Sequence, residues 1–283
     1  MLRAILRTLR TGVVTQHSPI PLPDRFRGAP QILSGRAFDA LPPSSICPSG
    51  AITGGPDAAH YEIDVARCIF CGRCALASPE HAIELGRDLE LSARRREKLV
   101  VHAERGTGGH VVARPAPAQT EQVADAIRRT MGRSLQLRHL DSGSCNACDW
   151  ELTALLNPVY DIRRLGIDFV ASPRHADGVI VTGPVTRNLE TAVRRTYEAV
   201  PAPRVVIAVG ACAASGGIVG RSYASAGGVD QVLPVDVFIP GCPPRPEAII
   251  FGILLAVGRL AQREKTCHHG LGKFPEGLLT KEP

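Results

Sequence analysis

Eight of the nine cysteines in this 283-residue chain fall into two sets. The first is Cys68-x2-Cys71-x2-Cys74, with Cys47-Pro48 upstream; the second is Cys145-x2-Cys148 with Cys212 and Cys242. Thiolates are soft ligands that select zinc, copper(I) or iron–sulfur clusters. Three thiolates on one tight loop can each reach a corner of an iron–sulfur cubane, with the fourth arriving from a distant turn. Structural zinc is the competing reading, because four cysteines also suit Zn²⁺. Zinc ligands, however, usually come as two pairs, and the first set splits three and one. The remaining Cys267 precedes His268-His269 in a polar tail without further ligands and reads as solvated.

The front spacing can be compared with the C-x2-C-x2-C-x3-C-P motif of bacterial ferredoxins, whose fourth Cys serves the other of two clusters. Here Ser78-Pro79 follows Cys74 where that fourth Cys would stand. Counting back from Cys47 by the same spacing reaches Ala37, Ala40 and Pro43. Ala37, Ala40, Pro43 and Ser78 are thus the four missing ligands of one cluster. Cys47, Cys68, Cys71 and Cys74 are the four present ligands of the other. The losses fall as a complete set, which predicts one retained [4Fe–4S] cluster.

The second set depends on strands to bring it together. Strands are expected at Leu135–Leu140, Ile167–Val170, Gly178–Val181, Val205–Val209 and Val235–Ile239. Helices are expected over Thr186–Val200 and Pro246–Arg259. Alternating strands and helices predict an α/β domain: an open, mostly parallel, flavodoxin-like sheet with flanking helices. Cys145, Cys212 and Cys242 each follow a strand, at the carboxyl edge where open α/β sheets place ligands. Gly143, Gly210, Gly216, Gly217 and Gly241 beside them allow close backbone approach to a bulky cofactor. The alternative is that Cys212 and Cys242 are small core residues.

Five segments result. Residues 1–36 form a basic arm that opens with an amphipathic helix over Met1–Val14. Residues 37–85 form a small ferredoxin-like α+β domain that has lost one cluster. Residues 86–133 read as a linker, with a strand at Leu99–His102 and a helix near Val123–Arg129. Residues 134–264 form the α/β domain and 265–283 a tail. The longest apolar run, Ala248–Val257, is half of the ~20 residues that a spanning helix needs. Most of the net charge of +6 lies in the arm, where Arg3, Arg7, Arg10, Arg25, Arg27 and Arg36 face only Asp24. With aromatics at 4%, base-stacking platforms are lacking, and no nucleic-acid partner is expected. Arg3, Arg7 and Arg10 interrupt any secretory h-region, so the thiols are expected in a reducing compartment.

The run Asp141-Ser142-Gly143-Ser144-Cys145-Asn146-Ala147-Cys148-Asp149 resembles the small electron-transfer subunit of energy-converting, membrane-bound [NiFe] hydrogenases such as formate hydrogenlyase, relatives of the 20 kDa subunit of complex I. Ser172 to Asp177, Thr182-Gly183-Pro184-Val185-Thr186, Gly210-Ala211-Cys212-Ala213 and Pro240-Gly241-Cys242-Pro243-Pro244-Arg245-Pro246 match that family in order. The front, with Phe26-Arg27-Gly28 and Cys68-Ile69-Phe70-Cys71-Gly72-Arg73-Cys74, resembles the ferredoxin-type subunit of the same complexes. The two residues between Cys145 and Cys148 favour the hydrogenase branch, since complex I has adjacent cysteines there. Ala147 departs from that branch's usual Gly.

The resemblance implies a fusion of two subunits holding two [4Fe–4S] clusters, with Cys145, Cys148, Cys212 and Cys242 around the one beside a partner's active site. It implies a hydrogenase-like or complex I-like large subunit, other peripheral-arm subunits and membrane subunits as partners, at the cytoplasmic face of the inner membrane. Nickel and iron chemistry would belong to the large subunit, and this chain would only supply electrons. Glu151 is either a carboxylate favouring a helix start or a group coupling proton movement to electron transfer. Arg174 and Arg187 either complement a partner or the cluster's charge, or simply line the surface. The competing functions are the equivalent subunit of a quinone-linked complex, and a zinc-stabilised nucleic-acid module with salt-dependent binding.

Overall fold

The structure, a computed structural model, describes residues 21–78, 80–114 and 134–258, with scattered positions before residue 16. Of the helix expected at Met1–Val14 only scattered positions are described, and Arg3, Arg7, Arg10 and Thr11 are helical; the helix expected near Val123–Arg129 and the tail with Cys267 lie outside the described residues.

The back half is built on five strands: β7 (Leu135–Asp141), β8 (Ile167–Phe169), β9 (Gly178–Thr182), β10 (Val205–Val209) and β11 (Val237–Ile239). They pair in the order β11-β10-β9-β7-β8, every pair parallel. This is the flavodoxin-like order, whose switch point lies between the first and third strands, here β7 and β9. Buried on both faces, β9 and β10 read as unbroken apolar runs rather than alternating ones. Val205, Ile207, Val209, Val237 and Ile239 face α2 (Ala147–Ala154) and α5 (Pro246–Ala256). Val179, Val181, Val206, Ala208 and Phe238 face α3 (Arg187–Ala199) and α4 (Gly210–Ser215). Each fully buried Val or Leu contributes about 1.5–3 kcal/mol. Helix α5 starts with Pro246 in its first turn, where no amide partner is lost, and gives way to Gly258 at φ 66°.

The front half is antiparallel. Strands β2 (Ile52–Gly54), β3 (His60–Asp64), β5 (Val100–Arg105) and β6 (Val111–Arg114) form one sheet in the order β2-β3-β5-β6. A two-stranded ladder joins β1 (Pro30–Ile32) to β4 (Ile83–Leu85), and the short helix α1 (Arg73–Leu76) lies between the sheets in sequence. Part of the expected basic arm is therefore a strand. The stretch expected as a linker also carries more structure than its composition implies. The strand expected at Leu99–His102 is β5, and the stretch also contributes β6 and a 3-10 turn at Arg96–Leu99. Its order comes from partners distant in sequence: Tyr61 lies opposite Ala103, and Ile63 opposite Val101.

The halves share a core. Val65, Ala66, Ala93 and Leu99 pack with Val179, Val206, Ala213 and Phe238. Ala93 also exchanges two backbone hydrogen bonds with Phe238, amide to carbonyl at 3.0 Å and 2.8 Å, which covers the outer edge of β11. Arg96 reaches Asp64 at 2.8 Å and Asp230 at 3.8 Å, one carboxylate from each half.

Candidate metal centres

In the front half, Cys47 ends the 3-10 turn Ser44–Ile46, and its Sγ accepts the Ala51 amide at 3.2 Å. The Cys68 Sγ accepts the Phe70 amide at 3.3 Å. The loop then turns sharply through Phe70 at φ 57° and Gly72 at φ 78° before α1 carries Cys74. Cys47, Cys68, Cys71 and Cys74 line a single cavity, closed on its apolar side by Ile63 and Phe70. Burial pushes the Cys68 thiol up to about 12 and raises Cys74 as well. Burial acts upward on Cys47 too, but hydrogen bonds from the Ser49 hydroxyl and nearby amides outweigh it and leave this thiol below its ordinary value.

The four positions expected to have lost their ligands are filled by core. Phe38 and Tyr61 have no solvent exposure and Leu41 only 1%. The Tyr61 hydroxyl donates to the Pro42 carbonyl at 3.0 Å. The Ser78 hydroxyl donates to the Ala40 carbonyl at 3.1 Å and accepts the Ala82 amide at 3.0 Å. Ser78 and Ala40 thus meet, as two ligands of one missing cluster would, and the space beside them holds side chains.

In the back half, Cys145 lies in the loop after β7 and Cys148 in α2, with Asn146 in a left-handed conformation between them. Cys212 lies in α4, which begins directly at the end of β10, and Cys242 follows β11 by way of Pro240 and Gly241. The Ala211 amide donates to the Gly241 carbonyl at 2.8 Å, tying those two turns together. Burial raises Cys148 most, and the neighbouring Cys212, Cys242 and Cys145 add to it. Burial followed by Cys242 and Cys145 pushes Cys212 up to about 11. The parallel strands have brought these four thiols together.

Asp149, next to Cys148, buttresses this loop. One carboxylate oxygen accepts from His139 Nε2 at 2.8 Å and from the Thr182 hydroxyl at 2.9 Å. The other accepts from the Ser144 hydroxyl, which itself accepts the Asn146 amide at 2.9 Å. Desolvation holds His139 below its ordinary value despite the nearby carboxylate, so it serves as a neutral donor. Glu151 sits close to Arg245 and Glu247; burial raises its carboxyl, Arg245 opposes this and Glu247 reinforces it. Arg187 is engaged with Glu190 at 2.8 Å on α3, while Arg174 is exposed. Sequence reasoning assigned no role to His139, whose partners Asp149 and Thr182 come close only in the finished fold.

Each set offers four cysteines, the donor set that a four-iron cluster takes. The glycines flanking the back thiols leave the space: a Cβ on Gly210 would stand 2.5 Å from the Cys148 Sγ, and one on Gly217 3.0 Å from the Cys212 Sγ. Among the described residues, no group of three His, Cys, Asp or Glu is placed to hold a single metal ion.

Residues 145–256 match the family described as NADH ubiquinone oxidoreductase, 20 Kd subunit. The probable membrane-bound hydrogenase subunit mbhJ of Pyrococcus furiosus is 50% identical over 135 residues, 48% of this chain and 81% of that protein. Formate hydrogenlyase subunit 7 of Escherichia coli is 43% identical over 138 residues, 49% of this chain and 54% of that protein. An NADH-quinone oxidoreductase subunit of Citrifermentans bemidjiense is 42% identical over 125 residues, 44% of this chain and 73% of that protein.

Proposed function

Because this chain belongs to the family of the 20 kDa subunit of NADH ubiquinone oxidoreductase, we propose that it is an iron–sulfur electron-transfer subunit of a membrane-associated, formate hydrogenlyase-like hydrogenase complex. The observation that carries this reading is the convergence of Cys145, Cys148, Cys212 and Cys242 at the carboxyl edge of a parallel sheet. These four hold one [4Fe–4S] cluster, and Cys47, Cys68, Cys71 and Cys74 hold a second. When bound, such clusters supply one-electron transfer, with potentials set by hydrogen bonds to sulfur and by solvent exposure.

The protein's own residues do the positioning. The Ala51 and Phe70 amides aim at sulfur in the front site, and Asp149 anchors the loop of the back site. Bond chemistry on the substrate belongs to a partner large subunit. Exposed Trp150, on α2 two residues after Cys148, and exposed Ile218, Val219 and Tyr223, in the loop after α4, give that partner apolar surface. The front half is a ferredoxin-type subunit fused to the back one. Among the described residues no helix is long and apolar enough to cross a membrane. In this reading, membrane subunits of the complex hold the chain at the cytoplasmic face of the inner membrane.

The equivalent role in a quinone-linked complex is the second reading, supported by the 42% identity to an NADH-quinone oxidoreductase subunit. Purifying the tagged chain anaerobically with its partners and measuring metals separates the cases. Iron at about eight atoms per chain together with nickel supports the hydrogenase reading. Iron without nickel transfers it to the quinone-linked one, and zinc in place of iron overturns electron transfer altogether.

A further inference from the structure

The two cysteine sites belong to different halves, yet one side chain spans the interval between them. Ser215 ends α4, one helical turn beyond Cys212. Its hydroxyl lies 3.0 Å from the carbonyl of Ala211, the residue before Cys212, and 3.2 Å from the carbonyl of Ala66, two residues before Cys68. A serine hydroxyl has one proton, so it is donated to these carbonyls in turn or shared between them. The surroundings are dry: Ala66, Ala213 and Ala214 have no exposure and Ala211 only 1%. Phe70, between Cys68 and Cys71, packs against the same core as Ala213 and Ala214.

Resting on the two-cluster reading above, we propose that Ser215 is a positioning residue for electron transfer within the chain, its hydroxyl closing a hydrogen-bonded path between the Cys68 loop and the Cys212 helix. One electron leaves the cluster held at one site and the same electron arrives at the other. No bond forms or breaks, and no external reactant enters. A second tie between the halves, Arg96 with Asp64 and Asp230, also reaches the front loop, where the Asp64 carbonyl accepts the Cys68 amide at 3.0 Å, but ends at Asp230 rather than on the Cys212 helix, and so acts as the control.

The test uses the assembled complex with Ser215→Ala, with Ser215→Thr against Ser215→Val, and with Arg96→Ala. The threonine and valine variants are equal in shape and differ in the hydroxyl, so they decide the matter even where the alanine variant assembles poorly. After flash reduction, electron redistribution between the clusters is followed by freeze-quenched electron paramagnetic resonance. Potentials and the magnetic coupling between reduced clusters are measured alongside. Transfer should slow several-fold in the alanine and valine variants with potentials and coupling unchanged, and recover in the threonine variant. Arg96→Ala should keep the original rate. Equal rates for threonine and valine variants overturn the path, as does equal slowing by Arg96→Ala. A wild-type complex with only one cluster signal overturns the two-cluster reading itself, a result distinct from either.

Discussion

The two cysteine sites differ in how far they are closed to solvent. In the front half Cys68 and Cys74 are each 9% exposed, and small antiparallel sheets wrap the cavity they share. At the edge of the parallel sheet Cys145 and Cys242 are exposed, while Cys148 packs against the core and Cys212 is half-buried. The front site is made by one loop plus one turn, with Cys47 and Cys71 half-buried at its mouth and none of its four cysteines fully exposed. The back site is assembled from three strand ends and leaves its outer rim for another surface to complete. A site finished by its own chain suits internal relay, and one left open suits hand-over to a partner.

The sharpest way to break this contrast is at Gly210. Its φ of 88° and the 2.5 Å approach of an added Cβ to the Cys148 Sγ leave no space for a methyl group. Gly210→Ala should empty the back site alone, lowering iron by about half while the front cluster's spectrum persists. Gly35→Ala, also at positive φ but with nothing within 4 Å, serves as the comparison for backbone strain without crowding. Loss of both clusters from Gly210→Ala would mean that the two sites do not load independently.

A second test concerns the positions where the ferredoxin motif would put four more ligands. Phe38 has no exposure and packs with Leu41 and Tyr61 in the core that includes Ala37 and Ala40. Phe38→Ala should cost about 3–5 kcal/mol in chemical denaturation. Returning cysteines at Ala37, Ala40, Pro43 and Ser78 should leave the iron content unchanged, since the volume is occupied. A gain of iron would show that the ligands alone decide.

The smallest effect should appear in alkaline melts of the cluster-free chain. Burial holds the proton on Cys68 to about pH 12, whereas an unfolded thiol releases it near pH 8.5. The folded state therefore binds more protons across that window, and stability is full below about 8.5 and falls as pH rises toward 12. Cys212, pushed up to about 11, acts in the same direction. Loaded protein, its thiolates already ligated, should have the flatter profile; parallel profiles would contradict a buried-thiol origin.

Much of this was legible in residue order. Val205–Val209 is a strand with the bounds that its apolar run predicts, because a strand buried on both faces needs nothing but apolar residues. The cysteines at strand ends followed from the same pattern, since parallel strands place all their carboxyl ends on one edge. Strand β6 was not legible. Its pairing is decided by β5, which is itself held by β3 about forty residues earlier. The Asp149–His139 contact and the Ser215–Ala66 contact escaped for the same reason: each joins residues whose proximity only the finished fold creates.

The paired hydrogen bonds between Ala93 and Phe238 carry a consequence for dividing the chain. An uncovered edge strand is a template for pairing with another copy. A chain cut between the halves would bare β11 together with Val179, Val206 and Phe238, which now pack against Val65, Ala66, Ala93 and Leu99. Such a fragment would associate with itself before it met its proper neighbours. A chain whose halves are joined in this way cannot readily be divided, because each part would need new surface residues before it could stand alone.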